Sequence, residues 1–116
     1  MSTARRVEVY ADLGCPFTHV GLRRFVERRA EAGRDDIALV VLAWPLEIVN
    51  GRPLDPAFIA EEVDEIREQV APGVFAGFDP AAFPATSIPG MGLAARAYEQ
   101  GAAVGEAVVK KLKARR

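Results

Sequence analysis

The sequence predicts an α/β chain: a strand–helix–strand unit, then a helical segment, with the sheet left incomplete. Three observations predict it. Val7, Val9 and Ala11 alternate with Glu8 and Tyr10, the period of a half-buried strand. Ile37 to Ala43 is a nearly unbroken apolar run, the mark of a strand buried on both faces. Between them Thr18, Leu22, Phe25, Val26 and Ala30 recur at helical spacing. Strand, helix and strand in this order make a right-handed crossover between parallel strands.

The first strand ends where Asp12, Gly14 and Pro16 break its alternation. Pro16 suits the first helical position, because its φ is preset and its missing N–H would have no partner there anyway. Cys15, the single cysteine, then falls at the N-cap. Arg23, Arg24, Glu27, Arg28 and Glu31 cover the solvent sides of this helix, and Gly33 stops it. Asp35 and Asp36 make a polar turn into the second strand, which Trp44-Pro45-Leu46-Glu47-Ile48 ends. Asn50-Gly51-Arg52-Pro53 reads as a loop.

Asp55-Pro56 opens a second helix in the N-cap and N1 manner, with Ile59, Val63, Ile66 and Val70 as its apolar stripe. Pro72-Gly73 ends it. Phe75 to Pro84 is irregular, with Phe75, Phe78 and Phe83 as anchors to a core. A third helix from Ser87 to about Gln100 is expected to bury Leu93, Ala94, Ala97 and Tyr98. Gly101 divides it from a fourth, whose stripe is Val104, Val108 and Leu112. The expected organisation is a βαβ half over residues 1–54 and a helical segment over 55–116 packed on it.

Two parallel strands alone do not make a stable sheet, and their outer edges leave backbone groups unpaired. The remedy is further strands from a second copy, a longer chain, or a strand hidden in Ala71 to Phe78. A homo-oligomer is therefore expected.

Composition narrows the function. The chain has 116 residues and is half hydrophobic, enough for one modest core, and its net charge is -1. That balance gives no general attraction to nucleic acid or an anionic membrane. The basic run Lys110 to Arg116 reads as a helix C-terminus complementing its own dipole. No apolar run is long enough to span a bilayer, and Met1 to Arg6 lacks the apolar core of a signal peptide, so a cytoplasmic protein is expected. One cysteine excludes an intrachain disulfide. Cysteine and histidine side by side supply two metal ligands where catalytic zinc takes three, so no metal site is expected.

The chemistry gathers at the first helix start. A thiolate is favoured at Cys15 by the free amides and the positive end of the helix dipole. Thr18 and His19 lie three and four residues on, on the same face. The Thr18 hydroxyl can donate to the sulfur; His19 can stabilise the thiolate as an imidazolium or act as a base. Asp12, a carboxylate close by, opposes ionisation. A buried, inert cysteine is the alternative.

The segment Val7 to Phe25, centred on Asp12-Leu13-Gly14-Cys15-Pro16-Phe17-Thr18-His19-Val20-Gly21, resembles the DsbA-like branch of the thioredoxin superfamily. FrnE-type proteins, 2-hydroxychromene-2-carboxylate isomerases and kappa-class glutathione transferases belong to that branch. Asp12, Cys15, Pro16 and Gly21 match the FrnE-type pattern, and Trp44-Pro45-Leu46-Glu47 resembles the stretch ending its second strand. Pro84 to Gly105 looks like part of the helical insertion between the two thioredoxin halves. Thr18 stands where the family has its second cysteine, and His19 where it has an aromatic residue. The resemblance implies a thioredoxin-like βαβ unit with an insertion-type helical segment, cut off before the family's cis-proline loop and last two strands.

The resemblance further implies thiol–disulfide chemistry at Cys15, assisted by Thr18 and His19, without a resolving thiol in the chain. No permanently bound cofactor is implied. Glutathione or another small thiol, or a protein thiol substrate, is the expected partner, with Pro16 and Phe17 as candidate contacts for it. Glutathione-dependent isomerase or transferase chemistry is a variant of this reading. The alternative is a catalytically silent thioredoxin-like module that acts by association.

Overall fold

The computed structural model describes residues 5–70, 73, 75 and 78–114. Strand β1 (Arg5–Ala11) leads into helix α1 (Pro16–Glu31), strand β2 (Ile37–Ala43) and a short helix α2 (Leu46–Val49). Helices α3 (Pro56–Gln69), α4 (Ile88–Tyr98) and α5 (Ala102–Ala114) follow, with a 3-10 turn at Pro80–Ala82 before α4. The chain is thus mixed α/β with a βαβ start, and no helix among the described residues is long and apolar enough to cross a membrane.

β1 and β2 pair in parallel, with Val7 opposite Leu39 and Val9 opposite Val41. They form a two-stranded sheet among the described residues. The expected hidden strand at Ala71 to Phe78 lies largely outside those residues; Gly73 and Phe75 are in turns. β2 is buried on both faces only at its centre, Leu39 to Val41. Gly33, at φ 63, allows the chain to leave α1 in the left-handed conformation that glycine tolerates, and Gly101, at φ 128, separates α4 from α5.

Two apolar clusters make the core. The first joins Ala11, Leu39 and Val41 of the sheet to Leu22 of α1, Met91 and Ala94 of α4 and Val109 of α5. The second joins Val20 of α1 to Ile59, Val63 and Ile66 of α3 and to Phe75. Each fully buried aliphatic side chain of this size contributes on the order of 2 kcal/mol. α1 therefore has two apolar sides where its sequence suggested one. Phe75, Phe78 and Phe83 anchor the irregular stretch through successive edge-to-face contacts, both at 6.4 Å between ring centres. Arg67 helps by donating to the Phe75 carbonyl.

Several expected core positions face solvent. Ala30 is exposed because Arg29 takes the inner place, forming a bidentate pair with Glu106 of α5 (Nη1–Oε1 2.7 Å, Nη2–Oε2 2.5 Å). Val70 is exposed at the end of α3, and Leu93 lies opposite the Met91, Ala94 and Ala97 face of α4. On α5 Val108 and Leu112 pack on the first cluster as expected, beside the buried Val109, but Val104 is exposed and Gly105 is buried in its stead. The cause is Tyr98. Its ring stands against Gly105, where a Cβ would overlap the ring carbons, so glycine is required for α4 and α5 to close.

Candidate functional site

The strand–turn–helix corner is built around one carboxylate. β1 ends at Ala11 and delivers Asp12 into the interior, where it is 2% exposed. Its Oδ1 accepts from the Gly14 amide at 2.7 Å and the Ser87 hydroxyl at 2.8 Å, and its Oδ2 accepts from the Leu46 amide at 2.8 Å. Bonds to a charged acceptor contribute on the order of 2 kcal/mol each, and burial without them would be unfavourable. Asp12 thereby ties the end of β1 to the starts of α2 and α4. Gly14 has no room for a side chain: a Cβ would sit 2.8 Å from Leu54 Cδ1 and 3.0 Å from Asp12 Oδ1.

The neighbouring polar groups complete this corner. Glu47 Oε1 accepts from the Thr86 hydroxyl and, at 3.2 Å, from the Ser87 amide. Ser87 is the N-cap residue of α4, but its hydroxyl is turned to Asp12; Thr86 Oγ1 instead accepts from the Ile88 amide at 3.2 Å. A cleft bounded by Gly14, Glu47, Leu54, Phe83 and Ser87 holds about 10 Å³, room for roughly one water.

Cys15 follows directly. Its amide donates to the Asp12 carbonyl at 3.0 Å, and its backbone is extended (φ -81°, ψ 126°) as an N-cap requires. The side chain makes no capping hydrogen bond and the residue is half-buried. Pro16 occupies N1 and is fully buried, whereas Phe17 is 54% exposed. Of the two candidate contacts for a small thiol, Phe17 is the one that presents surface.

No protein-family model, curated protein or solved structure matches the chain.

Thr18 and His19 lie in the first turn of α1, both half-buried. The His19 amide donates to the Cys15 carbonyl at 3.3 Å, so the two residues are joined through the backbone. The imidazole lies against Phe75, with ring centres 4.9 Å apart and planes tilted by 36°. It is thus packed on the second core cluster. Among the described residues no group of three or more His, Cys, Asp or Glu side chains could hold a metal ion.

From the sequence Asp12 reads as a charge opposing the thiolate, and its structural part is not apparent. The Asp-x-Gly spacing, which allows a carboxylate to bond the amide two residues on, was the available signal. Nothing local pointed to Ser87 or Glu47.

Proposed function

We propose that Cys15 carries monothiol–disulfide exchange, as the resemblance to DsbA-like proteins implies. The observation supporting this reading is a half-buried cysteine at the N-cap of a 16-residue helix, without a capping bond, directly after a strand and turn. The Cys15 thiolate attacks one sulfur of a disulfide, forms a mixed disulfide and releases the other sulfur as a thiolate. A second small thiol such as glutathione, as its thiolate, then attacks the mixed disulfide and releases Cys15. In this reading Phe17, exposed beside Cys15, packs against the incoming thiol, and Thr18 and His19 assist ionisation.

Alkylation of the native chain by iodoacetamide across pH tests this. Modification of Cys15 at neutral pH faster than a free cysteine is the expected result. A sulfur that reacts only after unfolding would overturn the proposal.

A second reading, a catalytically silent module acting by association, has its own support. Asp12, Glu47, Thr86 and Ser87 are all engaged in holding elements together, and the cleft beside them has room for little more than a water. In that reading Cys15→Ser changes no binding property of the chain.

A further inference from the structure

The phase of the β1–β2 ladder determines which backbone groups point outward. The Arg5 amide donates to the Asp36 carbonyl at 2.7 Å and the Trp44 amide to the Ala11 carbonyl at 3.0 Å. In a parallel pair, a residue that turns its N–H to the neighbour turns its C=O the same way. The odd-numbered residues of β1 thus serve β2, and Arg6, Glu8 and Tyr10 direct their N–H and C=O groups to the open side. Among the described residues none of these outward groups has a backbone or side-chain partner. Their side chains are exposed too, and the Tyr10 ring meets Trp44 edge-on at 6.4 Å.

We infer that this edge pairs, antiparallel and across a two-fold axis, with the β1 edge of a second copy. The argument is charge complementarity. An isologous contact places each residue opposite its symmetry counterpart, so a strand must be complementary to its own reverse. With Val7 on the axis, Arg6 lies directly opposite Glu8 of the second copy, and Glu8 opposite its Arg6. These are the outward residues that exchange backbone bonds, so the contact gains four N–H···O bonds and two opposite-charge cross-strand pairs.

Sliding by two residues in one direction would set Glu8 against Glu8 of the second copy, which is destabilising. Sliding by two in the other direction would set Arg6 against Arg6 of the second copy, which is destabilising in the same way. The favoured register turns two strands into four, ordered β2-β1-β1-β2, and supplies the minimum that an independent sheet needs. Arg6 and Glu8 already touch within one chain at 2.8 Å, so both heads lie on the same face, where they would meet the second copy's pair.

The inference deepens the association reading and is independent of Cys15 chemistry, because its test leaves residue 15 untouched. Sedimentation across concentration should show a reversible dimer. Arg6→Glu and Glu8→Arg, both at exposed positions, should each raise its dissociation constant by about tenfold or more. An equimolar mixture of the two variants should regain the dimer, since each then presents the charge the other lacks. Amide exchange at Arg6 and Glu8 should slow as concentration rises. A wild-type chain monomeric at about 1 mM, or a dimer indifferent to both reversals, would overturn the inference while leaving the alkylation result standing.

Discussion

The two edges of the sheet are treated in opposite ways. On β2 several outward groups are met from within the chain: the Ile37 amide donates to the Arg34 carbonyl, and the Ile37 carbonyl accepts from Arg29. The Tyr98 hydroxyl donates to the Leu39 carbonyl at 3.1 Å and accepts from the Val41 amide at 3.0 Å. That is the pair of bonds one residue of a neighbouring parallel strand would make. A phenol on a helix thus substitutes for part of a missing strand. On β1 nothing comparable is present among the described residues. An edge partly covered by side chains is less open to partners, whereas an edge left bare with alternating charges is selective about them.

The covered edge can be broken at its support. Gly105→Ala places a methyl group inside the Tyr98 ring and should force the phenol off β2. Overpacking and two lost hydrogen bonds together should cost about 3 kcal/mol or more, read as a lowered urea midpoint. The exposed β2 edge should then promote aggregation on heating.

Glu106→Gln should have a smaller effect. It leaves Arg29, which bridges the Ile37 carbonyl and α5, without its carboxylate. The loss should be about 2 kcal/mol in equilibrium unfolding. The hydrogen bond to Glu106 and the charges of Glu106 and Asp35 raise the affinity of Arg29 for its proton, against the effect of burial, so the guanidinium stays charged throughout.

Tyr98→Phe should be the mildest, about 1 kcal/mol at neutral pH, because the ring remains on Gly105 and only the hydroxyl is lost. Its pH signature sharpens the comparison. Burial first, with the Glu106 charge adding to it, raises the Tyr98 pKa above the ordinary phenol value, although the Val41 bond and Arg6 oppose this. The folded chain therefore holds that proton after the unfolded chain has released it. Stability contributed by the neutral phenol is present below about pH 10 and is lost as pH climbs beyond it. The Tyr98→Phe variant should lack that part of the alkaline decline, and a decline of unchanged size would show that the hydroxyl does not hold the edge.

What the sequence made legible was local. Val7, Val9 and Ala11 placed β1, Pro16 and Gly33 bracketed α1, and Ile59, Val63 and Ile66 marked the inner face of α3, because each depends on neighbours within a few residues. What it hid was long-range. Val108 and Leu112 pack inward on α5 as their spacing suggests, but Gly105 takes the inward place of Val104 because the Tyr98 ring stands there. Val20 is buried because α3 arrives beside it, and α1 then needs two apolar sides. At the candidate site the N-cap position of Cys15 was legible from Pro16 alone. The surroundings of that cysteine were not, since Leu46 and Ser87 reach Asp12 from distant segments.

The bond from Ser87 to Asp12 spans 75 positions of sequence. As the polypeptide is synthesised, the carboxylate emerges long before the hydroxyl that completes its shell. Until α4 begins to form, water must occupy that place, and the corner carrying Cys15 remains hydrated. Although made early, this corner closes only with a contact that arrives late.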